Sequence, residues 1–258
     1  MKFIIQKINN QIRHDFAFTL LESVRFQNWL QGTDDIGVRF LNTEANDNDE
    51  VEPFDFKNYH HSYVPIGSVE FVTQFLEHFH GLTPKPINVP ESLYPYANRR
   101  IFVGDNHSLQ DLKGRWVIKS MDKIKGLLKE VENPDILSVP PGGDTKYQIS
   151  QYISIESEWR AFIYKGRLRG LQHYVGDFTL FPSVNTIKSM IQDYKDAPVA
   201  YTLDIGITHH ESFPRTVTCV IEVHDFFSCG LYGFSDHSVL SHMFGRWFNE
   251  YLTKNKTQ

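Results

Sequence analysis

Two apolar-alternating runs near the C-terminus, Tyr201 to Ile207 and Val217 to Asp225, carry acidic and imidazole groups opposite their hydrophobes. Alternate side chains of a strand share a face, so Asp204 opposes Leu203 and Ile205. By the same rule Glu222 and His224 project together, away from Cys219, Ile221 and Val223. The connection from Thr208 to Thr216 suits a hairpin that brings Asp204 toward Glu222. Carboxylates placed so closely repel unless a proton or cation lies between them, and a divalent ion is the usual remedy. Asp225 falls on the core side and joins such a site only through a bulge. Upstream, Lys119 closes the run Arg115-Trp116-Val117-Ile118-Lys119, on the face opposite Trp116 and Ile118. An ammonium at the end of a buried strand is costly unless its charge is used. It is therefore either an edge charge beside Lys123 and Lys125 or a phosphate clamp. Glu158 and Arg160 share a face opposite Trp159, Ala161 and Ile163, which suits either a surface ion pair contributing roughly 0 to 1 kcal/mol or a functional pair.

The elements that must position these groups follow from periodicity and punctuation. Lys2 to Gln6 reads as a strand, Phe16 to Leu30 as an amphipathic helix and Gly37 to Leu41 as a second strand. Tyr63 to Ile66 leads to Ser68, an N-cap for a helix from Glu70 to His80 that stops at Gly81. The Pro- and Asn-rich stretch Thr83 to Asn98 marks a boundary, giving an N-terminal α/β domain over 1–98 and a second domain over 99–258. Phe244, Trp247, Phe248 and Tyr251 recur at helical spacing, so Ser238 to Leu252 is expected to be a C-terminal amphipathic helix. Phe226, Phe227 and Tyr232 are expected beneath the strands that carry Asp204 and Glu222. The acidic stretch Glu44 to Asp55 reads as a solvated loop. His209-His210-Glu211 falls in the expected hairpin loop and reads as exposed. No GxxxxGK[ST] sequence occurs, which excludes a P-loop, and Pro140 to Asp144 lacks the strand and helix context of a dinucleotide turn.

Over Arg115 to Phe234 the order and spacing of these residues resembles the ATP-grasp superfamily. The combined text Ser157-Glu158-Trp159-Arg160, Leu203-Asp204-Ile205-Gly206 and Ser228-Cys229-Gly230-Leu231-Tyr232-Gly233 is similar to a small clade of it in bacteria and phages. The resemblance implies an ATP-grasp fold, α/β (α+β), with the nucleotide between two α+β subdomains and a smaller α/β domain before them. It also implies roles. Lys119 contacts the nucleotide phosphates, the hinge Gln151-Tyr152-Ile153-Ser154 contacts adenine, and Glu158 contacts the ribose. Asp204, Glu222 and His224 occupy the magnesium positions, while Arg160 and Arg169 stabilise the transferred phosphate or an acylphosphate. Two departures stand out. Gln151 replaces the usual hinge glutamate and still offers a side-chain carbonyl. His224 replaces an asparagine, and imidazole nitrogen suits magnesium less well than oxygen, which makes manganese an alternative ion.

The implied activity is an ATP- and Mg2+-dependent joining of a small-molecule or peptide carboxylate to an amine through an acylphosphate. A small-molecule kinase on the same fold is the alternative, as is a nucleotide-binding protein with weakened catalysis. Composition is consistent with this reading. The 258 residues suffice for one large or two modest domains, and a formal charge of −5 argues against a general affinity for nucleic acid. No apolar run has transmembrane length, so a cytoplasmic protein is expected, with Cys219 and Cys229 as thiols.

Overall fold

The computed structural model describes residues 1–44, 54–110, 112–139, 146–210 and 213–255. Most of the acidic stretch, residues 45–53, and the turn Pro140 to Asp144 lie outside the described residues, as does Glu211. The described chain forms two compact units. One comprises Met1–Thr83, Pro198–Tyr201 and Asp225–Gln258, the other Pro84–Ala197 and Thr202–His224.

The first unit is built on a central strand, β1 (Lys2–Ile8), in which Phe3, Ile4 and Ile5 are wholly buried. An apolar run of this kind requires cover on both faces, the usual condition of a parallel sheet. Helix α1 (Asp15–Gln31) leads to β2 (Gly37–Thr43), and β2 and β3 (Val64–Ile66) flank β1 in the order β2-β1-β3, both parallel to it. Helix α2 (Val69–His80) begins and ends where its punctuation predicts. The Ser68 hydroxyl accepts the Phe71 amide at 3.2 Å, and Gly81 closes the helix at φ 65°, a conformation a Cβ disfavours.

The second unit holds two four-stranded sheets. In the first, β4 (Ile101–Gly104), β5 (Arg115–Ser120), β6 (Leu128–Glu132) and β7 (Tyr147–Gln151) lie antiparallel in the order β4-β7-β5-β6. Trp116 and Ile118 turn into a core with Leu109, Val139, Tyr147 and Ile149, which leaves Val117 and Lys119 on the opposite, partly open face. The second sheet has the order β11-β10-β8-β9, formed by β8 (Ser157–Tyr164), β9 (Arg167–Gly176), β10 (Ala200–His210) and β11 (Phe213–Asp225), with helix α3 (Val184–Asp193) between β9 and β10. Strand β8 is buried from Trp159 through Ile163, so both its faces are covered. Gly176 pairs with Ser157 at φ 83°, and a Cβ there would lie 2.1 Å from the Glu156 carbonyl oxygen. Only glycine fits.

One expectation is corrected. The hairpin strands are longer than their alternation indicated, because β-branched Ile207, Thr208, Thr216, Val217 and Thr218 continue the ladder. His209 and His210 therefore belong to β10 and not to a loop, and exposed His209 reaches Glu156 at 2.8 Å. Phe226 and Phe227 pack in the first unit on helix α4 (Leu240–Asn255), with ring centroids 4.7 Å from Phe244 and Trp247 respectively. Met243, Phe244, Trp247 and Phe248 are buried along α4, as their spacing requires. Cys219 and Cys229 are both buried thiols. Among the described residues no helix is long and apolar enough to cross a membrane.

Candidate active site

Strand alternation delivers the charged residues of the second unit to one place. Arg160 on β8 and Asp204 on β10 occupy neighbouring strands and form a two-pronged pair, with Nε and Nη2 each donating to a carboxylate oxygen at 2.8 Å. Only 8 % of Arg160 and 4 % of Asp204 is exposed, so Arg160 is a buried group and not the surface charge that one reading of the sequence paired with Glu158. Burial by itself raises the Asp204 carboxyl. The Arg160 fork and the hydrogen bond from His224 outweigh it and hold the group down at about 2. His224 Nε2 stands 3.3 Å from Asp204 Oδ2 and 3.6 Å from Glu222 Oε2, so the imidazole lies against both carboxylates. Lys119 on β5 reaches across from the other sheet and donates to Glu222 Oε2 at 2.6 Å.

Lys119 and Glu222 meet because the backbone beneath them is tied. Asn88, at φ 57°, donates its side-chain amide to the Ser120 carbonyl at 2.9 Å, while its own carbonyl accepts the Val223 amide at 2.8 Å. The residues following Lys119 and Glu222 thus share one anchor. Beside it, the Gln148 side chain bonds both the amide and the carbonyl of Val89, and Gln148 is the cross-strand partner of Lys119. Arg99 grips β11 itself, donating to the Val220 carbonyl at 2.8 Å and the Ile221 carbonyl at 3.1 Å. Sequence reasoning missed Asn88, Arg99 and Gln148. The one signal was the tight Pro86-Ile87-Asn88-Val89-Pro90 spacing, where asparagine is the residue that best tolerates a left-handed backbone.

Two irregularities in β9 aim side chains. Along the β8–β9 ladder Glu158 pairs with Val175 and Trp159 with His173, which leaves Tyr174 as an extra residue. Likewise Phe162 pairs with Gly170 and Ile163 with Leu168, so Arg169 is the extra residue of a second bulge. Bulges of this kind turn a side chain out of strict alternation. The Tyr174 hydroxyl donates to Glu158 Oε2 at 2.7 Å, and its ring lies 5.7 Å from the Arg160 guanidinium carbon. Burial, with the Asp204 and Glu158 charges adding to it, raises the Tyr174 phenol far above its ordinary range and keeps it a donor. Arg169 itself is exposed.

Gln151 to Ser154, expected as the hinge, run from the last residue of β7. Gln151 and Tyr152 donate their amides to the Arg100 and Arg115 carbonyls, each at 2.9 Å. The Tyr152 ring carries the Arg115 guanidinium 3.8 Å from its centroid. Gln151 and Ser154 are exposed, Tyr152 and Ile153 half-buried. Asp225 follows strict alternation to the core side, where its Oδ1 accepts the Trp247 indole at 2.8 Å. It is thereby committed elsewhere.

Magnesium prefers oxygen ligands. Asp204 and Glu222 supply hard oxygens and His224 a nitrogen. Among the described residues, however, no group of three or more His, Cys, Asp or Glu side chains is arranged to hold a metal ion. In this arrangement Arg160 and Lys119 balance the two carboxylates. By type, two carboxylates and an imidazole suit a divalent cation.

The model of the ATP-grasp domain, R2K clade family 2, matches residues 96–242, more than half of the chain. The chain belongs to this family. Its fold is the ATP-grasp fold. The D-alanine–D-alanine ligase of Bacillus anthracis superposes with a TM-score of 0.50 at 11 % identity, over 98 % of this chain and 99 % of that one. The RimK domain ATP-grasp protein of Sphaerobacter thermophilus gives 0.49 at 11 % identity, over 98 % and 100 %. At such identities the likeness is one of fold. No curated protein sequence matches the chain significantly. The matched range of this ATP-grasp protein contains Lys119, Gln151, Glu158, Arg160, Arg169, Asp204, Glu222 and His224.

Proposed function

We propose that this ATP-grasp protein joins a small-molecule or peptide carboxylate to an amine, using ATP and forming an acylphosphate on the way. The observation that carries the reading is the convergence of Lys119, Glu222, His224, Asp204 and Arg160, drawn from four strands of two sheets, into one connected charge cluster. Such a cluster is suited to phosphoryl transfer, where positioning and charge neutralisation supply most of the rate. Lys119 would exchange Glu222 for the nucleotide phosphates. Gln151 to Ser154 would hold adenine and Glu158, oriented by Tyr174, the ribose. Arg160 and Arg169 would take the transferred phosphoryl group, whose oxygens match a guanidinium fork. Asp204 and Glu222, with His224 beside them, would hold a magnesium ion that neutralises phosphate charge. A substrate carboxylate oxygen attacks the γ-phosphorus and ADP leaves. The amine then attacks the acyl carbon, loses a proton, and inorganic phosphate departs.

ADP release against pooled carboxylates and amines, with mass spectrometry of the products, tests this. A product equal to the two substrates less one water supports ligation. A phosphorylated product formed without an amine overturns it in favour of a kinase, which the same charged residues would serve.

A further inference from the structure

Helix α1 buries Phe16, Ala17, Leu20 and Val24 together with Ser23 and Gln27, yet leaves three further large apolar side chains exposed. Its inward face anchors through hydrogen bonds: Ser23 and Gln27 donate to the His237 carbonyl at 2.9 and 3.1 Å, and Gln27 also to that of Ser238 at 2.9 Å. Its outward face carries Phe18, Trp29 and Leu30, which are 61 %, 76 % and 60 % exposed. None of these three is needed to hold the helix down, and aromatic surface of this kind signals a partner. Phe18, Glu22, Arg25 and Trp29 fall within about 60° of one another around the helix, a narrow seam with Leu21 and Phe26 on its flanks.

The order of residues along that seam says which partner it fits. Read toward the C-terminus it is aromatic, acidic, basic, aromatic, with the two charges forming an ion pair on the same helix. A two-fold axis crossing the helix between Ser23 and Val24 sets Phe18 opposite Trp29 of a second copy and Glu22 opposite Arg25 of that copy, and the reverse. The same patch thus complements itself in shape class and in charge, which is the requirement of an isologous interface. We infer that α1 is a homodimer seam, in which two copies pack antiparallel and exchange their Glu22–Arg25 pairs. With aromatic side chains offering on the order of 100 to 200 Å² each, one seam buries less than the roughly 800 Å² per partner of a standard interface. The dimer is accordingly weak and concentration-dependent.

Sedimentation velocity from about 1 μM to about 1 mM, the span of weak affinities, tests it on the whole chain. The wild type shifts from monomer to dimer within that span, and Trp29→Glu removes the shift. Glu22→Arg and Arg25→Glu each weaken self-association at least tenfold by opposing like charges, and mixing the two variants in equal amounts restores dimer. All four positions are partly or largely exposed, so circular dichroism of each variant should match the wild type. A wild type that stays monomeric overturns the inference. So does a dimer that survives Trp29→Glu, or single charge variants whose mixture associates no better than either alone.

Discussion

The two ion pairs of the candidate site are built on different plans. Arg160–Asp204 lies within one sheet, is two-pronged, and its side chains are only 10 % and 6 % exposed. Lys119–Glu222 reaches from one sheet to the other, rests on a single contact, and its side chains are 22 % and 20 % exposed. A planar fork held by two bonds is fixed, whereas an ammonium with three rotatable donors exchanges partners readily. The first pair is therefore the more firmly held of the two. The second is the more readily exchanged, and in the proposed reading Glu222 holds the place of an incoming phosphate. Substitutions that treat both alike would break this contrast.

The largest effect is expected at the buried pair. Asp204→Asn removes the carboxylate charge from a buried, two-pronged pair, and should lower stability by about 3 to 5 kcal/mol, measured by urea unfolding. Replacing both partners, Arg160→Met with Asp204→Leu, should recover most of that loss without restoring activity. If Asp204→Asn costs no more than Lys119→Ala, the distinction between the pairs fails.

Acid sharpens the same point. Asp204 sits at about 2 in the folded protein, below its ordinary value of 3.8. A lowered folded value means that its contribution is fully present above the unfolded value and is lost as pH falls through the folded one. Between about pH 5 and about pH 2 the wild type should lose on the order of 2 kcal/mol more than Asp204→Asn does. Parallel pH profiles for the two proteins would show that the carboxylate is not held down in this way.

At the exchangeable pair Lys119→Ala should cost less stability than Asp204→Asn does, yet weaken ATP binding at least tenfold, read by titration calorimetry. A sharp fall in melting temperature without nucleotide would make Lys119 structural.

Much of this arrangement was legible as pattern. Period-two alternation placed Asp204, Glu222 and His224 on one side and Asp225 on the other, and the Asp225 contact with Trp247 follows from it. The Ser68 cap and the Gly81 stop were legible because each is a local device whose energetics involve a few neighbouring residues. What alternation cannot carry is anything that interrupts it or joins distant segments. The bulges at Tyr174 and Arg169 are register shifts against another strand, invisible in β9 alone. The Asn88 and Arg99 ties reach backbone groups of distant strands, and the spacing around Asn88 hints at its left-handed backbone but not at its partners. The return of α4 to the first unit is likewise a tertiary fact, although the helix itself was plain.

The smallest effect on stability, and the sharpest question about the site, lies at His224. Its Nε2 is within 3.6 Å of both carboxylates, yet its ring is over a third exposed. Removing it should therefore move stability by no more than about 0.5 kcal/mol. Its chemistry differs from that of asparagine in one respect: imidazole nitrogen suits softer ions than magnesium, and an amide oxygen suits magnesium better. His224→Asn should accordingly raise turnover with magnesium relative to manganese and weaken manganese binding, followed by metal titration of ADP release and by the paramagnetic signal of bound manganese. An unchanged ratio together with unchanged manganese affinity would exclude His224 as a ligand. Its part would then be the hydrogen bond to Asp204, and Glu222→Gln, which removes charge while keeping shape, would remain the variant that abolishes phosphoryl transfer while ATP still binds.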